Sequence, residues 1–258
     1  MPIAITRGVS LKLERCELTH LDPEAIDIAR ACEQHLRYEH CLAALGCEIV
    51  SLPAESELPD SVFVEDTAVV VDELALLTRP GARSRRPEIP SIAEVLGAYR
   101  RLVQVVPPGT IDGGDVLIVG RTVYAGLSAR TNADGVAQLK AAFEPAGYTV
   151  TAVPVTGCLH LKSAVCAVAA DTLLINRDWV DAALFGRIKL IDVARTEPAA
   201  ANALLVGKKV VYPSRHERTL ERLTRAGIET VTADFSELAK AEGGVTCCSL
   251  VFEKQGTP

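Results

Sequence analysis

The stretch Asp115-Val116-Leu117-Ile118-Val119-Gly120-Arg121-Thr122-Val123-Tyr124-Ala125-Gly126 decides the fold. Two apolar runs rich in β-branched residues meet at Gly120-Arg121, so the stretch reads as a tight β-hairpin. A helix from Asn132 to Ala146 and a strand from Thr149 to Pro154 are predicted after it. The same order recurs on both sides. Thr67 to Thr78 turns at Asp72-Glu73 and precedes a helix around Ile92 to Tyr99 and a strand Leu102 to Val106. Ser163 to Asn176 turns at Ala170-Asp171, ahead of a shorter helical piece and the strand Ile188 to Val193. Leu204 to Pro213 turns at Gly207-Lys208, ahead of the helix Glu217 to Ala226 and the strand Glu229 to Thr232.

The two termini supply the missing unit. A final strand, Ser249 to Lys254, has no helix after it. The chain opens with a strand at Ile3 to Ile5, an irregular stretch from Arg7 to Leu21, and then a predicted helix. Asp22 is its expected N-cap, with Pro23 in the first turn, Leu45 near its end and Gly46 as its C-cap. The strand Glu48 to Leu52 closes the unit. A hairpin, a helix and a strand thus repeat about five times with a period of roughly 45–50 residues, the signature of a radial or linear array. A unit shared between the termini makes the array a closed ring without exposed sheet edges. The fold expected is therefore α/β, a closed five-bladed α/β propeller of ββαβ units, with residues 1–258 forming a single catalytic domain. A doubly wound sheet is the runner-up, and the tight hairpins speak against its parallel pairing.

Hydrophobic residues make up 48% of the chain and charged residues 23%, as in an ordinary soluble globular protein. A net charge of −6 without a strong basic cluster argues against nucleic-acid and membrane partners. Arg83, Arg85 and Arg86 form the densest basic spot, which suits one anionic group. The N-terminal MPIAITRGVS does not read as a signal peptide, and the apolar run from Ser163 to Ile175 is short and broken by Asp171. The expected location is cytoplasmic, where the eight cysteines stay reduced. There is no CxxC pair, and Cys32, His35, His40 and Cys41 read as an amphipathic surface. No metal and no cofactor are expected.

The segments that join the units of such a ring converge on one cavity, so polar residues at the junctions are the site candidates. Pro59 to Asp66 carries Asp60, Glu65 and Asp66 around an apolar patch. Asp112-Gly113-Gly114-Asp115 places a carboxylate beside two glycines that permit close backbone approach. His160 lies in a mostly apolar run, where a buried core histidine is the bland alternative. Gly243-Gly244-Val245-Thr246-Cys247-Cys248 brings two adjacent thiols after a flexible turn. In an extended segment they face opposite ways, one into the cleft, although both also fit the pattern of small buried hydrophobes. A thiolate nucleophile, a histidine acid–base and carboxylates that grip a guanidinium suit attack on a cationic carbon.

Taken together, PDSVFVED (59–66), TRPGARSRR (78–86), the Asp112–Asp115 turn, GLSARTN (126–132), LHLK (159–162) and GGVTCCS (243–249) resemble the dimethylarginine dimethylaminohydrolases. These belong to the guanidine-modifying, or pentein, superfamily. The resemblance spans essentially the whole chain. It implies that Cys247 attacks the guanidinium carbon and that His160 protonates the leaving amine and then activates water. Asp112 joins this catalytic set and, with Asp66, would hold the guanidinium nitrogens, Glu65 lying beside them. Arg85 and Arg130 would bind the substrate α-carboxylate, and Asp60 with the backbone of Leu18 its α-amino group. Ala241 would line the site, and the segment around Leu18 would form a mobile lid. The partner implied is a methylated arginine, with a homodimer left open. Two rivals remain. One is another guanidine deiminase, although arginine deiminases are longer and agmatine carries no carboxylate for Arg85 and Arg130. The other is a non-catalytic arginine-binding or thiol-sensing protein.

Overall fold

In the computed structural model, which describes residues 1–254, the first unit joins both ends of the chain. Strand β1 (Pro2–Arg7) and helix α1 (Ile28–Ala44) precede β2 (Glu48–Leu52), which runs parallel to β1. On its other side β1 pairs antiparallel with the last strand, β15 (Leu250–Glu253), with Ile5 opposite Leu250. The second unit holds β3 (Ala68–Val70), β4 (Ala75–Leu77), α2 (Ile89–Leu96) and β5 (Leu102–Gln104). The third holds β6 (Val116–Val119), β7 (Thr122–Leu127), α3 (Ala133–Phe143) and β8 (Thr149–Pro154). The fourth begins after the short helix α4 (Leu161–Ala164) with β9 (Val165–Ala169), β10 (Thr172–Ile175) and β11 (Lys189–Asp192); a 3₁₀ turn over Ala182–Phe185 replaces a full crossover helix. The fifth holds β12 (Leu204–Val206), β13 (Lys209–Pro213), α5 (Glu217–Arg225) and β14 (Thr230–Ala233).

Every unit builds the same three-stranded sheet. Its middle strand is antiparallel to its hairpin partner and parallel to the strand that returns after the crossover, as at β7 between β6 and β8. The hairpins are as tight as the sequence implies: Gly120 and Gly207 hold left-handed φ values of 58° and 60° at the two predicted turns.

The apolar clusters close the ring. Ile5, Leu77 and Ile92 join the first unit to the second, and Leu76, Val123 and Phe143 join the second to the third. Tyr124, Leu173 and Phe185 bridge the third and fourth, while Cys166, Leu174 and Tyr212 bridge the fourth and fifth. Val206, Val211, Tyr38 and Cys248 then pack the fifth unit against the first. No sheet could bury both faces alone, so each depends on its two neighbours. The hairpin-opening strands β3, β6, β9, β12 and β15 line an axial cavity of about 270 Å³.

Two predicted helix starts move. Helix α1 begins at Ile28, not after Asp22, and its N-cap is Asp27, whose side chain accepts from Arg30 N at 3.0 Å. Distant groups hold points along the chain before it instead. Leu21 N donates to Glu242, Lys240 donates to Ala25 O, and Asp27 N donates to Glu237. Helix α2 also starts earlier than predicted, with Pro90 in its first turn, where its missing N–H costs nothing.

Candidate active site

The loops that lead into β3, β6, β9 and β15 meet at one end of the ring, together with those that leave β4 and β7. They carry Asp60 and Asp66, Asp112, His160, Cys247, Arg85 and Arg130, and every one of these but Cys247 is buried. The close approach of the loops depends on Gly114. A Cβ there would stand 2.6 Å from His160 Nδ1 and 2.8 Å from Asp66 Oδ1. Without it, Gly114 N donates to Asp66 Oδ1 at 2.9 Å.

His160 sits at the N-terminus of α4 between two carboxylates. Its Nε2 lies 3.0 Å from Asp112 Oδ2, and its Nδ1 lies 3.8 Å from Asp66 Oδ1. Asp112 is held in turn by Gly81 N, which donates to Oδ1 at 2.9 Å. Burial works against a charge on His160, but Asp66, with Asp112 and Asp115 behind it, outweighs burial and raises the imidazole to about 9. The opposite holds for Asp66. Burial pushes its carboxyl up, while His160 and then Arg85 hold it well below the usual range. At neutral pH the pair is therefore imidazolium and carboxylate.

Cys247 and Cys248 are not in an extended segment, contrary to expectation. Cys247 N donates to Gly244 O and Ser249 N to Thr246 O, so both thiols sit in consecutive turns before β15 begins. They diverge all the same. Cys248 is fully buried in the core between the fifth and first units, and Cys247 lines the cavity. Gly244 N donates to Cys247 Sγ at 3.3 Å. Burial, followed by the charges of Glu65 and Asp66, pushes this thiol far above its ordinary value. Among these neighbours it is a thiol, and a bound cation is what would ionise it.

Cys247, His160, Asp60, Asp66, Arg85 and Arg130 all line one cavity with Phe63, Leu159 and Ala241. Its volume is about 20 Å³, room for about one water. Glu17 lines it at one end of segment 17–21, which is tied to the site by hydrogen bonds. Glu17 N donates to both oxygens of Asp60, and Arg130 donates to Thr19 Oγ1 at 2.9 Å. The Glu242 carboxylate accepts from three consecutive amides, Thr19, His20 and Leu21. Glu242 is a non-glycine residue in the left-handed region, with φ 58°. Glu17 and Glu242 both line the cavity and were not singled out from the sequence, where the only hint is Glu242's place at the glycine turn.

Four candidates are placed differently from their expected roles. Asp112, expected to hold the guanidinium with Asp66, does not line the cavity, and its two oxygens meet His160 Nε2 and Gly81 N. Glu65 accepts from Lys162 Nζ at 2.6 Å and Thr246 Oγ1 at 2.7 Å, and it lines the axial cavity beneath the site. Arg85 is a hub rather than an open clamp. It binds Glu88 through two hydrogen bonds at 3.0 and 2.8 Å, Asp66 at 2.5 Å, and the carbonyl oxygen of Phe63 at 2.9 Å. A single N–H is left for any ligand. Leu18 stands half-buried between Glu17 and Thr19 and does not line the cavity. The Arg85–Glu88 pair has the spacing of adjacent residues on one helical turn, and that spacing is the signal that could have identified it. Asp66, Asp112 and His160 bring donor atoms within 4.8 Å of one another, the grouping among the described residues that could hold a metal. Arg85, Gly81 and Gly114 already occupy the carboxylate oxygens.

Five ββαβ blades around a pocket with a cysteine, a histidine and paired carboxylates are the arrangement of the guanidine-modifying, pentein class. A family model described as N,N dimethylarginine dimethylhydrolase, eukaryotic, matches residues 19–253. The chain belongs to the dimethylarginine dimethylaminohydrolase family. It is 42% identical to the N(G),N(G)-dimethylarginine dimethylaminohydrolase of Streptomyces coelicolor, over 96% of this chain and 95% of that one. The Pseudomonas aeruginosa enzyme of the same name is 37% identical over 88% of this chain and 90% of its own. A solved cysteine-to-serine variant of the P. aeruginosa protein, complexed with citrulline, superposes with a TM-score of 0.91 at 35% identity, covering 96% of this chain and 98% of that one. The N-terminal domain of the cyanobacterial arginine dihydrolase ArgZ shares the fold, with a TM-score of 0.85 at 18% identity.

Proposed function

We propose that this chain hydrolyses Nω-methylated arginines, asymmetric dimethylarginine and monomethylarginine, to citrulline and the corresponding methylamine. The observation that carries the reading is one cavity lined by Cys247, His160, Asp66 and Arg130 together. A guanidinium bound beside Asp66 supplies the positive charge that favours ionised Cys247, whose proton passes to solvent. The thiolate adds to the guanidinium carbon, and the substituted nitrogen leaves as an amine after taking the His160 proton. The remaining amidine-type carbon stays bonded to sulfur. His160, now neutral, takes a proton from water as its oxygen adds to that carbon, and the thiolate leaves as citrulline forms. Asp112 orients the imidazole throughout. Arg130, with the remaining N–H of Arg85, receives the α-carboxylate, and Asp60 receives the α-amino group. Burial raises the Asp60 carboxyl, so a cation there restores its charge. Because the cavity is too small for any such ligand, segment 17–21 swings aside on entry and closes again over the substrate.

All eight cysteines are unpaired. That suits a reducing compartment, and we place the chain in the cytoplasm. No described helix is long and apolar enough to cross a membrane.

The test is citrulline formation from asymmetric dimethylarginine, monomethylarginine, arginine and agmatine. Methylated arginines are turned over and agmatine is a poor substrate. Arg130→Ala raises KM for methylated arginine by about a hundredfold, the size of a lost charge-assisted pair of about 2–5 kcal/mol. Turnover of agmatine equal to that of methylated arginine would show that no carboxylate is recognised.

A further inference from the structure

Asp115 ends the Asp-Gly-Gly-Asp turn, and no step above uses it. It is fully buried. Its Oδ2 accepts from Ser128 Oγ and Thr131 Oγ1, each at 2.6 Å, and its Oδ1 accepts from Leu161 N at 2.9 Å. Each hydroxyl passes the constraint on. Ser128 Oγ accepts from Arg130 N at 3.0 Å and from Thr131 N at 3.2 Å. Thr131 Oγ1 accepts from Asp112 N at 3.1 Å. Leu161 directly follows His160. One carboxylate thus ties together the loops that carry Arg130, Asp112 and His160.

We propose that Asp115 is a positioning residue for the reaction: its carboxylate sets the Arg130 loop and the His160 loop in register, so that carboxylate recognition and acid–base chemistry share one anchor. The inference rests on the reading given above. Neutral groups supply all three donors, and no cation compensates the buried charge within hydrogen-bonding reach. The charged groups that act on it most are His160, which favours the carboxylate, and Asp112, which opposes it. Burying a carboxylate whose hydrogen-bond donors are all neutral is a costly way to fill space. What it supplies is acceptors on both sides, which a neutral side chain of the same shape lacks.

Asparagine cannot replace it in either orientation. With the amide oxygen toward the two hydroxyls, the NH₂ group faces Leu161 N–H, donor against donor. With the amide reversed, the hydroxyl protons lose their acceptor, because their other neighbours are backbone N–H groups. Ser128→Ala, by contrast, removes the hydroxyl that holds Arg130 N and Thr131 N but leaves the bonds of Thr131 Oγ1 and Leu161 N to Asp115 in place.

The experiment compares wild type, Asp115→Asn and Ser128→Ala with asymmetric dimethylarginine as substrate, each normalised to the fraction of Cys247 labelled by a haloacetamidine. Ser128→Ala raises KM about tenfold and leaves kcat within about twofold. Asp115→Asn raises KM similarly and also lowers kcat by tenfold to a hundredfold, about the effect of one lost hydrogen bond to a charged group. A purely structural role lowers melting temperature and active fraction but leaves normalised kcat and KM alone, and that result overturns the inference. So does a Ser128→Ala effect on kcat equal to that of Asp115→Asn. If wild type itself forms no citrulline, the parent reading falls and the inference with it; an active wild type with unmoved variants sinks the inference alone.

Discussion

Cys247→Ser abolishes citrulline formation, while Cys248→Ser keeps most of it. The two thiols are neighbours in sequence but not in environment. Cys247 lines the cavity with His160 and Asp66, whereas Cys248 packs in the apolar core shared by the fifth and first units. Chemistry at Cys247 requires an anionic sulfur beside a bound guanidinium. A serine hydroxyl is far less acidic, and the burial that already disfavours the thiolate disfavours an alkoxide more. The expected loss in kcat is at least about 10⁴-fold, as when a nucleophile is removed from a group of residues that act as a unit. Cys248→Ser trades a small hydrophobe for a hydroxyl in a fully buried position, which costs about 1–3 kcal/mol of stability. The checks are citrulline release per folded protein and the site of a covalent amidine label found by peptide mass spectrometry. A label on Cys248, or an active Cys247→Ser, would reverse the assignment.

The propeller was legible because its signals are local. Gly120-Arg121 and Gly207-Lys208 announce hairpins, and both glycines adopt the left-handed backbone the turns demand. Closure could be read from the leftover strands at the two termini, which pair as β1 and β15. What was not legible depends on partners far away in the chain. Asp22-Pro23 satisfies every local rule for a helix start, yet Glu242, more than two hundred residues later, holds the preceding amides over the cavity. The site shows the same division. His160, Asp112 and the pair of thiols were found from junction motifs, the family resemblance picked Cys247 of the two, and their convergence follows from the ring. The divergence of Cys247 and Cys248 was anticipated for a reason that does not hold, since turns rather than a pleated strand separate them. Arg85 was taken as a ligand-binding arginine because its sequence context gives its charge but not how many of its donors Glu88, Asp66 and the Phe63 carbonyl already engage.

Turnover falls as pH rises through about 9, and Asp112→Asn moves that fall to lower pH while cutting kcat by roughly 10²–10⁴-fold. His160 must deliver a proton to the leaving amine, so its charged form is the competent one in the first half of the reaction. Burial alone would discharge it. Asp66, Asp112 and Asp115 reverse that and raise the imidazole from its ordinary value near 6.5 to about 9. Asp112 contributes through geometry as well as charge, since one oxygen meets His160 Nε2 and the other is fixed by Gly81 N. An asparagine has one acceptor for these two N–H donors, so it loses either the imidazolium bond or its own anchor. The same ionisation acts on the fold. Because the folded value lies above the unfolded one, the stability it contributes is complete below about 6.5 and is lost as pH rises through about 9. In wild type, melting temperature and kcat therefore decline together across that window, whereas in Asp112→Asn both declines begin at lower pH. The measurement is a pH profile of kcat with parallel thermal melts from pH 6 to about 10. An Asp112→Asn profile that keeps the wild-type upper limb would remove Asp112 from the control of His160.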